Sequence, residues 1–193
     1  MNIFLTGEIQ VGKSTIINKF IKSHPDLKIG GFKTLTNFNQ DQGVYMGVYI
    51  VPGCDYEPDY SEESHVGDRG NKKSGYPEKF NSKGVDILNT PGDYDLILMD
   101  EIGFMETKAE NFANAVLKFL DGNVPVIGVV KPMMKGLPLA VKQHPKTKVL
   151  EVTKDNRDEL YFEFEQLLEE KLTNVWLFLI FKYEYFSNKK LLK

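Results

Sequence analysis

Apolar and polar positions follow two different spacings along this chain, and each switch between them marks the border of a strand or a helix. Asn2 to Thr6, Lys28 to Lys33, Val44 to Val51, Leu96 to Asp100, Val124 to Val130 and Lys148 to Val152 are short runs rich in apolar residues, and each predicts a strand. Between them the apolar spacing lengthens to three and four. Ile16, Ile17, Phe20 and Ile21 form one helical face; Phe112, Val116, Phe119 and Leu120 form another, entered through a capping-box pattern at Thr107 and Glu110. Leu160, Phe164, Leu167 and Leu168 give the inner stripe of a helix starting near Asp155. Strands alternating with helices predict an α/β fold, a mostly parallel sheet covered on both faces, with the strands around Gly31 and Gly47 paired as an antiparallel insertion. Ligands of such sheets sit at the carboxyl ends of the strands.

Two segments stand outside this alternation. Glycines and polar residues between Pro52 and Gly75 predict a long loop, with Asp55, Glu57, Asp59, Glu62 and Glu63 as a solvated face and metal binding as the alternative role. The apolar run Val175 to Phe181 is too short to span a membrane, which takes roughly 20 residues. Extended, it puts Trp176, Phe178 and Ile180 on one face and Leu177, Leu179 and Phe181 on the other, which predicts an added strand buried on both sides. Packing within the chain would cover it; self-association is the other way to do so. A domain is therefore expected over 1–172, with a C-terminal extension over 173–193.

With 193 residues, 41% of them hydrophobic, the chain has enough material for one sizeable core. A formal net charge of -3 argues against general binding to nucleic acid or an anionic membrane. Cys54 is the single cysteine, so no internal disulfide forms, and Met1 lies too close to the first strand for a leader; a cytoplasmic location is the expectation. A monomer or weak homo-oligomer is expected.

The chemistry begins where the first strand ends. Gly7, Glu8, Ile9, Gln10, Val11, Gly12, Lys13, Ser14 and Thr15 have the spacing Gly-x-x-x-x-Gly-Lys-Ser of a phosphate-binding loop, set between a strand and a helix as that motif requires. A triphosphate carries about four negative charges, so the backbone N–H groups must come close to it, which glycines permit. Lys13 would reach the outer phosphates, Ser14 would bind a magnesium ion, and the helix would aim its positive end at the anion. The strand ending in Asp100 and Glu101 has a Walker B pattern. Asp100 would hold the magnesium ion, and Glu101 would orient and partly deprotonate the attacking water. Nucleoside triphosphates such as ATP or GTP are thus the expected ligands, with Lys13 and Glu101 catalytic. His24, His65 and His144 show no ligand-like spacing, and no Gly-x-Ser-x-Gly elbow occurs. Only Arg69 and Arg157 supply guanidinium groups among 24 basic residues, which counts against a nucleotide kinase with its forked donors.

Five segments in order, Gly7 to Thr15, Gly31 to Thr34, Asp100 to Glu106, Lys135 to Ala140 and Val152 to Arg157, resemble the nucleoside-triphosphatase family first described in thermophiles, whose human member is the cancer-related nucleoside-triphosphatase. The resemblance covers about Met1 to Leu168. It implies a RecA-like three-layer α/β/α P-loop domain that hydrolyses several nucleoside triphosphates with Mg2+, slowly and with little base preference. Thr36 and Phe38 stand where the family pattern has an acid and an arginine, and Tyr45 where another basic residue is common, so charge at the transition state must come from lysines such as Lys33, Lys131 or Lys135. Asn156 and Arg157 are candidates for the nucleotide base, with helix capping by Thr153 and Asp155 the alternative. Thr34 is a strand-end hydroxyl or a ligand contact, Lys135 a solvated lysine or a phosphate contact, and Met105 and Glu106 are read as half core and half helix start. Besides hydrolysis, a non-enzymatic nucleotide switch or assembly factor and a small-metabolite kinase remain as alternatives.

Overall fold

The computed structural model describes residues 1–39, 44–54, 57–69 and 73–190, apart from the side chains of residues 38, 39, 44–46 and 174–190. Eight strands form one sheet: β1 Asn2–Thr6, β2 Ile29–Asn39, β3 Val44–Pro52, β4 His65–Asp68, β5 Ser74–Gly75, β6 Leu96–Ile102, β7 Val126–Val130 and β8 Thr147–Glu151, in the order β5-β4-β3-β2-β6-β7-β1-β8. The five strands from β2 to β8 in that order are parallel, and β3, β4 and β5 add an antiparallel edge.

The register positions the site. Val129 on β7 faces Leu5 on one side and Asp100 on the other, and Asp100 is in turn opposite Lys33. The chain leaving β1 therefore emerges at the same carboxyl edge as Asp100 and Glu101.

Side-chain alternation in the buried strands feeds both faces. Phe4, Ile97 and Met99 point into one core, with Phe32, Phe112, Val116 and Leu120; Ile3, Leu5, Leu96 and Leu98 point into the other, with Ile16, Ile17, Phe20 and Phe164. The first face is covered by the helical stretch α2 Pro77–Lys79, the π-helical turn Phe80–Gly84 and α3 Val85–Leu88, together with α4 Glu110–Asp121 and α5 Gly136–Gln143. The second is covered by α1 Lys13–Ser23 and α6 Arg157–Lys190. These are the three layers expected.

Three expectations change. The stretch from Pro52 to Gly75 is not all loop: β4 pairs with β3 and β5 with β4, extending the sheet. Thr107 does not cap α4, which starts at Glu110 behind the buried Ala109 with no side-chain cap, because the preceding turn is already closed by Glu106 on Gly103. The run 175–181 belongs to α6 rather than to a strand. A helix satisfies its backbone internally and needs no sheet edge; the side chains of this run, like Asp55, lie outside the described residues. Asp59 in the acidic run accepts hydrogen bonds from the Ser61 amide and the Ser64 hydroxyl. Among the described residues no helix is long and apolar enough to cross a membrane.

Candidate active site

The phosphate loop owes its shape to two positions that only glycine fills. Gly7 has φ +128°, and a Cβ there would come within 2.3 Å of the Val152 carbonyl oxygen. Gly12 has φ +103°, and a Cβ would meet the Arg157 Cδ at 2.5 Å. Between them Gln10 adopts φ +63°, and Val11, 5% exposed, anchors the loop in the core. Ile9 points outward. Gly12 is the N-cap of α1 and offers no side chain to its first amides, and no acid sits in that first turn. The N–H groups that helices leave unpaired at this end are thus available to an anion.

Lys13 folds back over the loop. Its Nζ donates to the Gly7 carbonyl at 3.0 Å and to that of Glu8. Burial lowers its pKa, while the charges of Glu101 and Asp100 pull the other way. The Ser14 hydroxyl lies beside the Asp100 carboxyl, between α1 and β6, and favours its charged form. Asp100 keeps some exposed surface, yet its carboxyl is desolvated enough to push its pKa up to about 6, with the charge of Glu101 adding to the effect and Ser14, Lys13 and Lys33 opposing it. A desolvated carboxylate beside a hydroxyl offers two hard oxygen donors, which fits a magnesium-type cation completed by phosphate oxygens and water. A divalent ion there would remove the upward push on Asp100. Among the described residues no group of three or more His, Cys, Asp or Glu forms another candidate metal site.

Glu101 is held from two sides. Its Oε1 accepts from Lys131 Nζ at 2.7 Å and from Arg69 Nη2 at 3.3 Å. These side chains line a cleft of about 670 Å3 whose opposite wall is the phosphate loop from Gly7 to Thr15. Lys73, Phe104, Pro132 and Met133 complete its rim. Behind it, Glu106 is only 3% exposed and accepts a hydrogen bond from the Gly103 amide at 2.9 Å. Burial pushes its pKa up to about 7 against the pull of the Glu106 and Gly103 amides and Lys131. Glu106 thus closes the turn after β6 instead of opening a helix.

The sequence-derived candidates separate into two groups. Gly7, Glu8, Ile9, Gln10, Gly12, Lys13, Ser14, Thr15 and Glu101 line the cleft, and Asp100 joins them through Ser14. Val11 lies beneath as a core residue. Thr34 lies beside Glu101 and Glu106 in a small recess. Asn156 and Arg157 sit behind the loop. Asn156 exchanges hydrogen bonds with Thr153, Thr153 N to Asn156 Oδ1 at 2.8 Å and Asn156 N to Thr153 Oγ1 at 3.1 Å, and Arg157 pairs with Asp158 at 3.1 Å while its stem covers Gly12. Neither lines the cleft. Lys135 is the exposed N-cap residue of α5 and also lies outside it. Arg69 and Lys73 also line the cleft, and no motif marks either of them. Arg69 left one signal, its rarity; Lys131, immediately after a strand, left a stronger one.

A family profile described as NTPase matches residues 2–164. Nucleoside-triphosphatase THEP1 of Methanosarcina acetivorans is 31% identical over 183 residues, covering 92% of this chain and 97% of the relative. The mouse cancer-related nucleoside-triphosphatase homolog is 29% identical, covering 82% and 92%. The crystal structure of THEP1 from Aquifex aeolicus superposes with a TM-score of 0.67 at 22% identity over 88% of this chain and 99% of that one, a likeness of fold. The chain thus belongs to the NTPase family, the nucleoside-triphosphatases of the THEP1 type.

Proposed function

We propose that the cleft hydrolyses nucleoside triphosphates to diphosphate and phosphate in a magnesium-dependent reaction with broad base acceptance. The observation that carries this is the convergence of Lys13, the neighbouring Ser14 and Asp100, and Glu101 on one edge of the sheet. Amides of the phosphate loop and Lys13 would hold the phosphate chain, Lys13 leaving its loop carbonyls for phosphate oxygens. Ser14 and Asp100 would hold the magnesium ion, which supplies charge neutralisation on the outer phosphates when bound.

Glu101 orients a water molecule towards the terminal phosphorus and accepts its proton. The new bond joins the water oxygen to that phosphorus. The bond to the bridging oxygen breaks, and its electron pair leaves with the diphosphate. Broad base acceptance is supported by the rim residues Ile9, Phe104, Pro132 and Met133, whose apolar surface does not discriminate between base edges. A nucleotide-binding switch is the second reading, favoured by one observation: two cations already occupy Glu101, the residue that turnover must free.

Phosphate release from ATP, GTP, CTP and UTP, measured with magnesium and with a chelator, tests the proposal. Release from several of the four that disappears with the chelator is expected. Binding without release would leave the switch.

A further inference from the structure

Resting on the hydrolytic reading above, we infer that Arg69 and Lys131 are this chain's transition-state cations, held on Glu101 until the terminal phosphate of a bound substrate draws them away. Phosphoryl transfer spreads negative charge over the terminal oxygens and the bridging oxygen, and enzymes meet it with fixed cations. Lys13 comes from the loop side. On β2, Lys33 stands opposite Asp100 and acts on its carboxyl, and the residues after it, Thr34 to Asn39, include no basic one. The fold brings cations by two other routes: Arg69 directly follows β4, the strand beside β3, and Lys131 directly follows β7, the strand between the phosphate loop and Glu101.

Lys131 is built into its place. Its backbone N–H donates to the Ile102 carbonyl at 2.9 Å, fixing its base at the end of the β6–β7 ladder. Its stem then crosses Gly103 so closely that a Cβ there would be 3.0 Å from Lys131 Cδ. Arg69, just past the end of β4, reaches the same carboxylate oxygen. The remaining arginine, Arg157, is paired with Asp158 and lies outside the cleft lining.

Charge and exposure make this pair exchangeable. Two cations on one carboxylate leave an excess of positive charge facing the phosphate loop. The side chains of Arg69, Lys131 and Glu101 are 35%, 25% and 28% exposed, so water reaches each of them and the pairs are not locked in a dry interior. A terminal phosphate, with about two charges and three acceptor oxygens, outcompetes a single carboxylate for a guanidinium and an ammonium. Their transfer frees Glu101 to accept the proton of the attacking water at the moment when charge on the phosphate needs them. Neither cation forms or breaks a covalent bond, so the atom balance remains that of hydrolysis.

The test compares wild type with Arg69→Ala, Arg69→Lys and Lys131→Ala. Each protein is assayed for kcat and KM with magnesium ATP, and for affinity towards magnesium ADP with and without aluminium fluoride, which imitates the transferring phosphoryl group. Arg69→Ala and Lys131→Ala should each lower kcat on the order of 10²-fold with a much smaller change in KM, and Arg69→Lys should recover part of the loss. Wild type should bind ADP with aluminium fluoride more tightly than ADP alone, and the alanine variants should lose that gain while still binding ADP, which also shows that they fold. Values of kcat within about threefold of wild type, or a retained aluminium fluoride gain, would overturn the inference and leave a purely structural ion pair. A wild-type protein that binds ADP yet releases no phosphate would remove the hydrolytic reading itself, and the inference with it.

Discussion

Glu106→Gln should flatten the pH dependence of folding stability, because the wild-type carboxyl holds its proton far more tightly in the folded state than in the unfolded chain. Its ordinary pKa of 4.5 is pushed up to about 7 by burial. Between those two values the unfolded chain has released the proton and the folded protein has not, so stability falls as pH rises through this window. The penalty is absent well below the ordinary pKa and complete above the folded one. Integrated from pH 5 to pH 8, a shift of this size costs about 2 to 3 kcal/mol. Asp100, raised to about 6, contributes with the same sign but is present in both proteins and cancels in the comparison. Glutamine keeps an oxygen for the Gly103 amide while removing the ionisable proton. Urea unfolding of both proteins at pH 5 and pH 8, in chelator, gives the four free energies needed. The loss of stability between the two pH values should be about 2 to 3 kcal/mol smaller in Glu106→Gln. Equal losses in the two proteins, within about 0.5 kcal/mol, would show that Glu106 does not hold its proton as the burial implies.

Lys13→Ala should weaken triphosphate binding on the order of 10²-fold and abolish turnover with little change in melting temperature, since the half-buried side chain bonds only loop carbonyls; calorimetric titration and a thermal melt check this. Gly7→Ala should cost on the order of 1–3 kcal/mol and lose nucleotide binding, because the added Cβ would lie 2.3 Å from the Val152 oxygen at φ +128°; urea midpoints and nucleotide titration report both effects. Phe112→Ala should cost about 3–5 kcal/mol in the same unfolding assay, as the ring is fully buried with centroids 5.1 Å from Phe32 and 5.3 Å from Phe80.

The parallel strands and the phosphate loop were legible because a buried strand of five residues and a glycine-bounded loop leave strong local patterns. Ile3, Phe4 and Leu5 followed by Gly7 and Gly12 need no tertiary information to be read. β4 and β5 leave no such pattern because four and two residues, two of them glycine, carry no periodicity, and only the pairing of β4 with β3 and of β5 with β4 makes them strands. The run 175–181 was ambiguous for a different reason: a short, wholly apolar segment fits either period, so the continuation of α6 through it could not be read from alternation. The same limit applied within the site. Glu101 and Lys13 are marked by their motifs, whereas Arg69 joins them only because β4 lies beside β3 in the sheet. Thr107 and Glu110 have capping-box spacing, yet Glu106 competes for the turn from the buried side, which a spacing rule does not register.

The central claim, that Glu101 accepts the proton of the attacking water in a phosphate-binding cleft, meets its most direct test in a single-turnover comparison of wild type with Glu101→Gln. Phosphate release from bound magnesium ATP would be followed alongside the equilibrium affinity for a non-hydrolysable triphosphate. The amide keeps an oxygen for Lys131 and Arg69, so the affinity should stay within about fivefold of wild type while the rate falls by about 10³-fold or more. A Glu101→Gln protein that releases phosphate at the wild-type rate would contradict the assignment.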